Sequence, residues 1–149
     1  MKPIFAKETA VPVGRSRSEL EDLLRKYGAD QFASGWREGQ ATVQFRLEGR
    51  TVRLEVPMPT LVEMQKGERR RRTPKQRERA LSQAERQRWR AIVLLTRARL
   101  EACALGIETI ETAFLSGFVT PSGQTVGEIM REQLDKVLDG RAQPKMLGA

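Results

Sequence analysis

Four consecutive arginines, Arg69 to Arg72, are the residues of this chain best suited to binding a charged ligand. A guanidinium group is planar and can donate two parallel hydrogen bonds to the oxygens of one phosphate. An ammonium group interacts with phosphate as a point charge. The surrounding basic segment, Lys66 to Arg90, contains eleven Lys or Arg and three Glu, and nine of the eleven cations are arginine. This composition predicts binding to polyanions, with a preference for phosphate.

The net charge of the chain resides entirely in this segment. It carries +8, which equals the net charge of all 149 residues, while the 65 residues before it sum to +1 and the 59 after it to −1. Only Glu68, Glu78 and Glu85 lie close enough in sequence to neutralise the eleven cations. The segment is therefore a local electrostatic feature between two nearly neutral parts.

Non-enzymatic, largely sequence-independent binding of DNA or RNA is the leading hypothesis. At 100° per residue, Arg79, Arg86, Arg90 and Arg97 fall within about 40° of one another and form a basic stripe on a helix. The alternatives are a solvated helix face and a protein-interaction module that docks its basic surface on an acidic protein. The residues expected to contact phosphates are Arg69, Arg70, Arg71, Arg72, Lys75, Arg77 and Arg79, with Arg86 and Arg90 extending the track.

Catalytic residues are scarce. The chain has no histidine, which removes the usual general base near neutral pH and the commonest transition-metal ligand. Glu108 and Glu111 lie one helical turn apart and, with Asp135 or Asp139, offer carboxylates to a metal such as magnesium. Exposed Glu pairs are common on helices, so we expect neither an enzyme nor a cofactor. Cys103, the single cysteine, excludes an internal disulfide and is expected in the core.

Two hairpin turns are predicted before the basic segment. With Glu48-Gly49 as a two-residue turn, every apolar side chain of the flanking strands lands on one face. Glu38-Gly39 is a second such turn, and it places Phe32 and Trp36 on the same apolar face. A helix over residues 18–28, with Ser18 and Glu21 as a capping box, is expected to cover that face. Residues 10–13 offer an edge strand.

A long helix is predicted from about Lys75 to Leu105. Thr73 suits the N-cap and Pro74 the first turn. The helix has an apolar arc expected to pack against the C-terminal helices, and both tryptophans, Trp36 and Trp89, are expected to be buried. After Gly106 the pattern predicts two short helices, the second opening on a capping box of Thr125 and Glu128.

The predicted fold class is α+β, with an N-terminal helix packed on a three-stranded antiparallel meander, then a basic connector, then one long and two shorter helices. The corresponding units are residues 1–60, an arginine-rich connector over 61–79, and a helical unit over 80–149. No apolar run is long enough to cross a bilayer, and the N-terminus lacks the apolar stretch of a secretory signal. Each half is small, so the sequence also allows a homodimer.

Five blocks of the chain resemble a family of small uncharacterised proteins encoded by tailed bacteriophages and prophages. The resemblance covers most of the chain in order and implies a phage or prophage origin and a bacterial cytoplasm. It also favours a role in nucleic-acid transactions or in inhibiting a host system. The blocks are Lys26 to Phe32, Gly49 to Leu54, Arg88 to Ala91, Gly106 to Thr109 and Pro121 to Glu128.

Overall fold

The computed structural model describes residues 4–37, 39–65 and 72–138. Four helices and one antiparallel sheet with strand order β1-β2-β3 make up this part of the chain, which confirms the predicted α+β class. In chain order the elements are α1 (Val13–Lys26), β1 (Gln31–Arg37), β2 (Gln40–Leu47), β3 (Arg50–Pro57), a short 3₁₀ turn (Glu63–Gln65), α2 (Pro74–Ala104), α3 (Ile110–Phe114) with a 3₁₀ continuation (Leu115–Gly117), and α4 (Val126–Leu138).

The register of the sheet follows the predicted turns. Leu47 pairs with Arg50 across the β2–β3 turn. In that turn Glu48 has φ of 51° and Gly49 has φ of 75°. Positive φ at both central residues is the geometry that matches the right-handed twist of paired strands. Trp36 pairs with Ala41 across the first turn. Both predicted registers are confirmed.

Helix α1 begins earlier than predicted. It starts at Val13, directly after Pro12, and its N-cap makes no side-chain hydrogen bond. The proposed capping box of Ser18 and Glu21 is therefore wrong, as is an edge strand at residues 10–13. The reason is burial, since Val13 packs against the core two turns before Leu20 on the same side of the helix.

One cluster of buried side chains joins the sheet to the helices. Helix α2 buries Trp89, Val93 and Leu100 in the cluster that also contains the apolar face of β2 and β3. The predicted arc of α2 is thus buried, but its main neighbour is α1, and of the C-terminal helices the short α3 also packs against α2. Helix α1 has only 14 residues, so it leaves sheet surface that α2 covers. The unit boundaries at residues 61 and 80 stay predictions.

The C-terminal elements cover the outer edge of β3. The backbone N–H of Val119 donates to the carbonyl oxygen of Thr51 at 2.9 Å. The predicted cap of α4 is confirmed, because the Thr125 hydroxyl accepts from the backbone N–H of Glu128 at 3.1 Å. The start of α4 lies so close to Ser116 that position 127 must be a glycine, since a Cβ there would lie 2.8 Å from the carbonyl oxygen of Ser116. The outer edge of β1, in contrast, pairs with no other strand in the described part of the chain.

The shared core predicts a clear contrast between two leucine substitutions. Leu20→Ala should lower the free energy of unfolding by about 2–5 kcal/mol, because Leu20 is fully buried and its removal leaves a cavity. Leu94→Ala is the matched control, since Leu94 is 45% exposed and should change stability by about 0.5 kcal/mol or less. Urea unfolding followed by circular dichroism measures both. Equal losses for the two variants would contradict this core.

Candidate nucleic-acid interface

The start of α2 places the described part of the basic segment on a regular helical frame. Thr73 is the N-cap, and its hydroxyl accepts from the backbone N–H of Gln76 at 3.3 Å. The side-chain oxygen of Gln76 accepts in return from the backbone N–H of Thr73 at 2.9 Å. Pro74 occupies the first turn, where its missing N–H costs no hydrogen bond. The predicted helix start is confirmed.

Four of the predicted phosphate-binding residues surround this helix end. Arg72, Lys75 and Arg79 are exposed, and Arg77 is half-buried. Lys75 and Arg79 lie one turn apart on one side of the helix, whereas Arg77 points from the opposite side. The first fully buried residue of α2 is Trp89, so these turns extend beyond the core. The predicted sites Arg69, Arg70 and Arg71 lie outside the described residues.

Several arginines elsewhere in the fold are paired with carboxylates. On the polar face of the sheet, Arg46 pairs with Asp30 at 2.7 Å, and this ion pair lowers the pKa of Asp30. Arg53, on the same face, is 2.9 Å from Glu128 of α4. Each central arginine of this face therefore has an anionic partner within the molecule.

The C-terminal part of the predicted stripe is also compensated. Glu19 of α1 accepts hydrogen bonds from Arg90 at 2.5 Å and from Arg97 at 2.9 Å. The hydrogen bond from Arg90 is the main cause of a lowered pKa at Glu19. Arg86 is half-buried, and its guanidinium donates to Ser82 at 3.0 Å and to Gln83 at 2.6 Å. Arg86 and Arg90, expected to extend the track, thus already have partners in the fold.

The expectation that only Glu68, Glu78 and Glu85 are near the cations is wrong because it leaves out Glu19. That residue precedes Arg90 by 71 positions and reaches it only because α1 and α2 pack together. The sequence carries no signal for this pairing. Within residues 4–37, 39–65 and 72–138, no carboxylate lies within 4 Å of the cationic groups of Arg72, Lys75, Arg77 or Arg79. We call these four residues the cationic helix end.

The two tryptophans have opposite environments. Trp89 is 5% exposed, as predicted, and its ring lies 5.7 Å from the guanidinium carbon of Arg17. Trp36 is 81% exposed, so its predicted burial is wrong. The residue does sit opposite Ala41 on the apolar face, but β1 is the edge strand and no helix covers its ring. Its side chain instead borders a groove of about 500 Å³.

The candidate metal ligands are not assembled. Glu111 forms an ion pair with Arg50 at 3.1 Å. Among the residues whose placement is described, no group of three or more Asp, Glu or Cys side chains is arranged to hold a metal ion. Asp139 lies outside these residues, and the side chain of Asp135 is not described. Cys103 is half-buried, and burial together with the nearby Glu108 raises the pKa of its thiol.

No protein-family model, curated protein or solved structure matches this chain. In the described part of the chain, no helix combines the length and the apolar character needed to cross a membrane. The candidate interface therefore depends on its own geometry and charge.

Glu19 should stabilise the fold in a pH-dependent way. Glu19→Gln should lower the free energy of unfolding at pH 7 by about 1 kcal/mol, a value limited by screening because the Glu19 side chain is 32% exposed. A carboxyl whose pKa is lowered by folding stabilises the protein above its unfolded pKa, near the ordinary value of 4.5 for glutamate. This contribution is lost as pH falls through the folded pKa. The difference between wild type and variant should thus shrink below pH 4.5.

Urea unfolding at a series of pH values from 7 to 3 measures this difference. Glu8→Gln is the control, because Glu8 is exposed and makes no ion pair within the described ranges. A difference that stays constant with pH, or an equal loss in the control, would contradict the role of Glu19.

Proposed function

We propose that this protein binds DNA or RNA without catalysing a reaction and largely without regard to sequence. The contacts are made by the cationic helix end together with the preceding Arg69, Arg70 and Arg71. The observation that carries the proposal is the contrast in charge pairing. Arg46 and Arg53 on the sheet and Arg90 and Arg97 on α2 have carboxylate partners. Arg37, Arg86 and Arg88 donate hydrogen bonds to neutral groups. The cationic helix end has no carboxylate partner within the part of the chain that the structure describes.

This contrast favours an external anion as the missing partner. Neighbouring like charges repel one another, and a folded protein relieves the repulsion by pairing them or by binding counterions. A nucleic-acid backbone supplies a regular row of phosphates and releases its own condensed counterions when cations replace them. Such contacts position a protein on the strand but carry no sequence information. Sequence-independent binding follows from this chemistry.

The resemblance to phage and prophage proteins favours a role in replication, recombination or packaging. We propose that the protein acts there in the cytoplasm of the bacterial host. Arg86 and Arg90 flank the proposed contact region, and their internal partners make them secondary to the cationic helix end.

A salt-dependent binding titration tests the mechanism. If five cations each displace a counterion, log K should fall with log salt with a slope of about −3.5 to −4.5. The triple variant Arg72→Gln, Lys75→Gln, Arg79→Gln should bring the slope closer to zero by up to about 2.1 to 2.7, because it removes three of the seven proposed contacts. Binding to oligonucleotides of unrelated sequence should weaken to the same extent. Fluorescence anisotropy at several salt concentrations gives these slopes.

The control removes the same charge from another place. Arg15→Gln, Arg25→Gln, Lys26→Gln lowers the net charge by the same three units, and all three residues are exposed on α1. This control should keep a slope near that of the wild type. Equal slopes in the two triple variants would show a non-local charge effect, and a wild-type slope near zero would reject the mechanism. If the protein instead retains an acidic partner protein from lysate after nuclease treatment and binds no nucleic acid, the interaction-module alternative is correct.

A further inference from the structure

An exposed tryptophan and an apolar groove lie beside the proposed nucleic-acid interface. From their geometry we infer that Trp36 stacks on an unpaired base, so that the preferred ligand is single-stranded nucleic acid. This inference rests on the proposed function and specifies its ligand. Every base has a π-face, so stacking on an aromatic side chain is compatible with sequence-independent binding.

The groove is suited to a flat apolar group. Trp36 stands at its rim, and its ring is 81% exposed. Leu81 and Trp89 of α2 form one wall, while Met58 and the residues that follow β3 contribute another part of the lining. The volume of about 500 Å³ lies within the range of pockets that bind small organic ligands. A base stacked on Trp36 can therefore also contact the groove.

Cations beside the ring fit the phosphates that flank a base. Arg17 and Arg37 border the groove, and Glu85 is the one carboxylate among the lining residues that the structure describes. The side-chain nitrogen Nε of Arg37 donates to Gln40 at 2.7 Å, and that of Arg17 donates to Ser34 at 3.0 Å. Both hydrogen-bond partners are neutral, so they orient the two guanidinium groups without cancelling their charge. An aromatic platform with nearby arginines is typical of single-strand binding.

One residue of the cationic helix end, Arg77, lies on the side of α2 that lines the groove. Leu81 and Glu85, which line it, follow Arg77 at intervals of four residues, so all three lie on one side of α2. Leu81 and Glu85 therefore lie about 6 Å and about 12 Å from Arg77 along the helix axis. One strand can therefore contact Arg77 and reach the groove. In a duplex the bases are stacked inside, which leaves Trp36 without a partner.

Binding of oligothymidine and of a duplex of equal length tests the inference. Trp36→Ala should weaken binding of the single strand about 5- to 150-fold, the range found for loss of one base-stacking aromatic. Its effect on the duplex should be less than about twofold, because a duplex has no free base to stack. Since Trp36 is exposed, the variant should fold normally, and circular dichroism checks this. Leu105→Ala, at a residue that is 73% exposed and does not line the groove, is the matched control and should bind both ligands like wild type.

Tryptophan fluorescence provides a second readout. Oligothymidine should quench the emission of Trp36 in the wild type and leave little quenching in Trp36→Phe, because Trp89 is buried. Unchanged single-strand affinity in Trp36→Ala would overturn the inference and leave the proposed function intact if the salt slope persists. Equal affinity and equal quenching with the duplex would also overturn it. No binding to either ligand at low salt would remove both the inference and the proposed function.

Discussion

The apolar face of the three-stranded sheet is the constraint on which the rest of the structure depends. Side chains such as Val43 and Phe45 are buried only if helices cover that face, and α1 is too short to do so alone. Helix α2 completes the cover with Trp89, Val93 and Leu100. Because this helix has 31 residues and its buried positions begin at Trp89, its first turns extend beyond the core. The exposure of the cationic helix end is thus a consequence of how the sheet is covered.

The same packing determines which charges are compensated inside the molecule. Where α1 crosses α2, Glu19 lies between Arg90 and Arg97 and neutralises the C-terminal part of the basic stripe. Where α4 approaches β3, Glu128 meets Arg53. At the start of α2 no element that the structure describes brings a carboxylate to Arg72 or Lys75. The charge of the chain is therefore more localised in the fold than in the sequence, where the segment reaches Arg90.

Periodicity and local chemistry were sufficient to predict the elements but not their neighbours. The alternation of Val43 and Phe45 with polar residues predicted the register, because a shift by one residue exposes the whole apolar set. The cap of α2 depends on Thr73 and Pro74 alone, so it too was predictable. The pairing of Glu19 with Arg90 depends on which helix crosses which. A hydrophobic pattern of period 3.6 shows which residues share a helix face but does not indicate which element covers that face.

Trp36 illustrates, for a single residue, the difference between predicting a position in an element and predicting what packs against it. Its position opposite Ala41 was predictable from the turn, but its exposure depends on the absence of a covering helix at the open edge of β1. A large indole ring in water forgoes about 1.5–3 kcal/mol that burial of an apolar side chain of that size would contribute. The fold therefore gains little stability from Trp36 or from the cationic helix end. Both features lie outside the core, so substitutions there can test the proposed binding without changing the stability of the fold.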